Sequence, residues 1–68
     1  MSLREVLAKN LRLLREAKDL SQDELADQAG INRNYVGMLE RCENAATVDM
    51  LEKLAGALDV EPLDLLRR

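Results

Sequence analysis

Leu20-Ser21-Gln22-Asp23-Glu24-Leu25-Ala26-Asp27-Gln28-Ala29-Gly30-Ile31-Asn32-Arg33-Asn34-Tyr35-Val36-Gly37-Met38-Leu39-Glu40-Arg41 is the stretch whose reading decides the fold. Ser21 and Glu24 stand at the spacing of a reciprocal capping box, which opens a helix with Leu25, Ala26 and Ala29 on one face. Gly30 ends that helix, because glycine enters left-handed backbone without a Cβ penalty. Asn32 then caps a second helix that carries Val36, Leu39 and Glu40. The turn between them is too short for antiparallel packing, so two short helices joined at a bend are expected.

Outward from this unit, Ser2-Leu3-Arg4-Glu5 is a second capping box and opens a helix running to about Lys18. Leu3, Leu7, Leu11 and Leu14, with Val6 and Ala17 beside them, form its expected inner stripe, and Leu13 falls off that stripe. Asp19 stands at its end, where a left-handed residue is wanted. On the other side, Cys42 to Ala46 reads as a loop, and Thr47, followed by Asp49, caps a fourth helix with Val48, Leu51, Leu54, Ala55 and Leu58 toward the core. Gly56 inside that helix costs about 1 kcal/mol relative to Ala unless close packing needs the space. Pro62 suits the first position of a fifth, short helix ending at Leu66.

With 68 residues, one domain spanning residues 1–68 and one small core are expected. Lacking Trp and Phe and holding one Tyr, the chain must build that core from aliphatic side chains. This favours interlocking helices over a sheet, and an all-α, compact five-helix fold follows. The single Cys42 has no partner for an internal disulfide, and neither a signal-like segment nor a membrane-length apolar run is present, so a cytoplasmic protein with no membrane partner is expected. The net charge of −3 argues against indiscriminate nucleic-acid binding. Up to Cys42, however, seven basic residues match seven acidic ones, and the whole excess lies from Glu43 onward, where three basic residues face six acidic. A locally positive face in the first two thirds is compatible with that distribution.

The runs Leu20-Ser21-Gln22-x-Glu24-Leu25-Ala26, Ala29-Gly30-Ile31-Asn32-Arg33-x-Tyr35-Val36 and Leu39-Glu40-Arg41 closely resemble the Cro/repressor-type helix-turn-helix family of bacterial and phage transcription regulators. The resemblance extends from about Leu11 to Leu66 and implies a lambda-repressor-like fold in which the first helix of the pair crosses the DNA backbone and the second lies in the major groove. It also implies a phosphate contact by Gln22 and an ion pair between Arg15 and Glu40 that orients Arg15 toward DNA. Removing one partner of such a pair costs about 3 kcal/mol when it is well buried. Asp19 and Cys42 both replace a glycine usual in the family.

On the second helix, Arg33, Asn34, Gly37 and Met38 are expected to point outward, opposite Val36 and Leu39. Arg fits the two acceptors of guanine and Asn the acceptor and donor of adenine, which nominates Arg33 and Asn34 as base readers; Arg33 has a phosphate contact as its alternative. Met38 offers contact to a thymine methyl, and Gly37 leaves a gap. Tyr35 has two roles open, a hydroxyl on a phosphate and a ring packed along the first helix. Arg41 likewise either steadies the helix dipole or binds the backbone.

Double-stranded DNA is thus the expected partner, bound by a homodimer on a two-fold-related operator. Two half-sites multiply the few base contacts of one domain, and Leu63, Leu65 and Leu66 are nominated as the self-association surface. With no His, no second Cys and no catalytic constellation, neither enzyme, cofactor nor metal is expected. The competing reading is a protein-interaction module, or an antitoxin-like partner-binding domain, that keeps the fold with weak DNA affinity; the acidic balance, Gly37 and Met38 favour it.

Overall fold

The computed structural model describes residues 1–68 as four α-helices, α1 (Leu3–Ala17), α2 (Gln22–Ala29), α3 (Arg33–Glu40) and α4 (Val48–Leu58), followed by a 3-10 helix (Pro62–Leu66). No strand is present, so the all-α class stands and the count of five α-helices is corrected to four. The last segment is too short and too tightly wound to be a fifth.

Helix starts follow local chemistry closely. In α1 and α2 the Ser2–Glu5 and Ser21–Glu24 boxes are closed in both directions, and Asn32 and Thr47 accept from the backbone N–H of Asn34 and Met50. Helix ends share a single device. Asp19, Gly30, Cys42 and Asp59 all adopt positive φ, between 58° and 70°. The residue after each donates back across the turn, Leu20 to Arg15, Ile31 to Ala26, Glu43 to Met38 and Val60 to Ala55, at 2.8–3.1 Å. These are Schellman closures, and three of the four are made without glycine.

Leu11, Leu25, Val36, Leu39, Leu54, Leu58 and Leu65 are fully buried and form the centre of the core, drawn from every element. Two residues expected there lie outside it: Leu3 is 52% exposed and Val48 74%. Each is the first residue of its helix, and burial begins further along, at Val6 in α1 and Leu54 in α4. Ala17 is likewise exposed, at the other end of α1. Val6 is buried as expected, and Ala8, not expected on the stripe, is buried too. Leu65, nominated for self-association, is fully buried and belongs to the core. A 3-10 helix has three residues per turn, so Leu63 and Leu66 align on one side and Leu65 turns inward. Asn10 fixes this end, its side-chain amide donating to the carbonyls of Leu65 at 3.0 Å and Arg67 at 2.8 Å.

Candidate nucleic-acid interface

One carboxylate holds the pair α2–α3 against α1. The side chain of Glu40 is wholly shielded from solvent, and Arg15 grips it from two directions, Nε to Oε2 at 2.7 Å and Nη2 to Oε1 at 3.1 Å. The remaining nitrogen of Arg15, Nη1, donates to the carbonyl of Leu20 at 2.7 Å, which ties in the turn before α2. Gln22 adds its amide to Oε1 at 3.0 Å, and Nε of Arg12 lies 3.5 Å from the same oxygen. Burial pushes the Glu40 carboxyl up, but the hydrogen bonds from Arg15 and Gln22 and the Arg15 charge outweigh it and hold the group below its ordinary value of 4.5. The Arg15–Glu40 contact expected from the resemblance is therefore present, with Gln22 and Arg12 as members not anticipated as its partners.

Above this frame lies an open groove of about 550 Å³ lined by Gln22, Asp23, Arg33, Asn34, Gly37, Met38, Arg41 and Glu43. It brings together five of the seven side chains nominated from the sequence for DNA contact. Arg33 and Asn34 are exposed at the start of α3, Met38 is half-buried one turn on, and Gln22 and Arg41 approach each other over Gly37. Met38 is the one large apolar group on an otherwise polar lining. Gly37 faces the groove with Arg33, Asn34 and Met38, as expected, but is buried there beneath the side chains of Arg41 and Gln22.

Two nominated residues sit outside the groove. Arg15 belongs to the frame below it, its side chain 13% exposed and its nitrogens engaged with Glu40 and Leu20. Tyr35 packs against the core, with its hydroxyl 3.5 Å from the carbonyl oxygen of Ala45, toward the loop between α3 and α4. Sequence reasoning missed two carboxylates on the groove. Asp23 lies 3.5 Å from Nη1 of Arg33, and Glu43 accepts from Nε and Nη2 of Arg41 at 2.8 and 3.3 Å. The Glu43 contact joins residues only two apart in sequence, and the Asp23 contact spans the bend that the capping residues fixed.

A second, apolar groove of about 180 Å³ lies on another face, lined by Leu3, Leu7, Ala45, Ala46, Leu51 and Leu66 with Arg4 at its edge. Leu63 is 71% exposed. No helix is long and apolar enough to cross a membrane.

A helix-turn-helix family model matches residues 11–65. Among characterised sequences, this chain is similar to Control protein C.SmaI of Serratia marcescens, with 41% identity over 68 residues covering 100% of this chain and 81% of that protein. It is 47% identical over 64 residues to a hypothetical transcription factor of Neisseria meningitidis, covering 94% of this chain and 60% of that one. Among solved structures, the restriction-modification controller protein C.AhdI from Aeromonas hydrophila superposes with a TM-score of 0.88 at 44% identity, over 91% of this chain and 94% of that chain. The transcription factor NHTF from Neisseria superposes with a TM-score of 0.94 at 45% identity, over 97% and 76%.

Proposed function

The chain belongs to the Cro/repressor-type helix-turn-helix family, and from that premise we propose that residues 1–68 act as one sequence-specific, double-stranded-DNA-binding domain of a transcription regulator. It binds a two-fold-related operator as a homodimer, with α3 in the major groove. The observation that carries this reading is the gathering of Gln22, Arg33, Asn34, Met38 and Arg41 on one open groove, held by the buried Arg15–Glu40 frame. Relatives named as control proteins and a transcription factor support it.

In this reading α2 lies across the backbone and Gln22 contacts a phosphate, its side chain steadied by Glu40. Arg33 and Asn34 read bases at the start of α3, Met38 meets a thymine methyl, Tyr35 contributes a backbone contact from outside the groove, and Arg15 acts through the frame that positions Gln22. With Leu65 in the core, the self-association surface shifts to Leu63, Leu66 and the neighbouring apolar groove, where Leu3 and Leu51 offer area that a second copy would cover. The acidic balance lowers affinity for arbitrary duplex, so binding rests on specific contacts.

Selection from a random duplex pool at physiological salt tests this. Enrichment of a two-fold-symmetric site, with half-sites about one helical turn apart, is expected. A folded protein that enriches nothing would overturn the reading in favour of a protein-interaction module.

A further inference from the structure

We propose that Arg41, seated over Gly37 and held by Glu43, is a base-reading residue and not a backbone contact. This deepens the DNA-binding reading and rests on it. A Cβ at position 37 would lie 2.9 Å from Nη1 of Arg41, 3.7 Å from its Cζ and 3.3 Å from Oε1 of Gln22. The space that a side chain at 37 would fill is thus already occupied by a guanidinium returning from one turn further along the chain.

Glycine weakens a helix interior, and Gly37 has no positive φ to require it. What glycine supplies at this position is room for Arg41. This guanidinium lies against Gly37 of α3 itself, in the groove that Arg33, Asn34 and Met38 also line. The apparent gap in the recognition helix is filled by a residue from beyond its end.

Glu43 determines how that guanidinium is presented. Its two oxygens take Nε and Nη2, the side-on edge of the fork. The end-on edge, formed by Nη1 and the second hydrogen of Nη2, makes no hydrogen bond within the protein, and two parallel N–H groups are what the O6 and N7 acceptors of guanine require. The pair is exposed, 54% on Arg41 and 51% on Glu43, so it adds little to folding stability. Its effect is to bias a long side chain toward one orientation.

The test compares wild type, Arg41→Ala, Arg41→Lys and Gly37→Ala by random-duplex selection, then by competition between the enriched duplex and its single-base variants. Thermal melts verify that each variant is folded. Arg41→Ala is expected to lose roughly 10-fold or more of the discrimination at one base pair per half-site. Gly37→Ala, which keeps the charge but displaces the guanidinium, is expected to lose preference at that same base pair, and Arg41→Lys is expected not to restore it. A uniform loss on every duplex with unchanged base preference in Arg41→Ala would overturn the proposal and make Arg41 a phosphate contact. Retained preference in Gly37→Ala would overturn the seat as its positioning device. Wild type enriching no site would be a failure of the DNA-binding reading itself, distinguishable because it precedes any variant.

Discussion

The side-chain amide of Gln22 donates to Oε1 of Glu40 at 3.0 Å, joining the first residue of α2 to the last residue of α3. The same carboxylate is held by Arg15 of α1. A groove residue and the buried ion pair are therefore one hydrogen-bonded unit, and the angle between the paired helices is fixed by side chains as well as by the turn.

Breaking this unit from the carboxylate side leaves Arg15 short of its partner in a site shielded from water. Glu40→Gln is expected to cost about 3 kcal/mol, lowering the midpoint of thermal unfolding by about 4–8 °C per kcal/mol. The Glu40 carboxyl titrates lower in the folded chain than its ordinary value of 4.5. Its stabilisation is thus complete above that value and is lost as pH falls through the folded one. Urea unfolding of wild type and Glu40→Gln from pH 7 into acid should show the gap narrowing below about pH 4.5. The exposed carboxylates are common to both proteins and cancel in the difference. A gap independent of pH would contradict the assignment.

Three helix ends place a non-glycine residue in left-handed backbone: Asp19 and Asp59 at φ 58° and Cys42 at 63°. Asp tolerates that region better than Cys, whose side chain gives no local hydrogen bond in return. Cys42→Gly is expected to stabilise by about 0.5–1 kcal/mol, and Asp19→Gly and Asp59→Gly by less. Equilibrium unfolding of the three variants checks the order. Cys42→Ser is expected to leave DNA affinity unchanged.

Gly56 lies within α4 with open space where a Cβ would sit. Packing does not require it, so Gly56→Ala should recover about 0.5–1 kcal/mol of helix stability. A loss of stability in urea titration would show that the site is not free.

Helix starts, the bend and most of the core were legible in the sequence because each rests on contacts within a few residues: Ser21 with Glu24, Gly30 at its positive φ, Leu25 with Ala26. What periodicity could not supply is where along a helix the core begins. Leu3 and Val48 have the right phase but precede the first buried residues of their helices, Val6 and Leu54. Leu65 was nominated with Leu63 and Leu66 on the apolar content of a short segment, and content does not say which of three leucines turns inward. At the groove, side-chain types identified what belongs there, but Gly37 lying under Arg41 depends on the rotamer of a long side chain that also pairs with Glu43.

Leu65 and Leu3 separate core from surface at the C-terminal end. Leu65→Ala should cost about 2–5 kcal/mol as a core cavity. Leu3→Glu places a charge on an exposed residue of the apolar groove and should leave the fold intact while weakening self-association. Sedimentation over a concentration series reads this, and an unchanged profile for a dimeric protein would remove the groove from the interface.

The most direct test is the affinity of wild type, Arg33→Ala and Gln22→Ala for the selected duplex and its single-base variants at one fixed salt. Wild type should discriminate among these duplexes, and Arg33→Ala should flatten the preference at one base pair. Gln22→Ala should weaken all of them by a similar factor. Wild-type binding that is the same for every duplex, or a positional loss in Gln22→Ala with a uniform loss in Arg33→Ala, would contradict these roles.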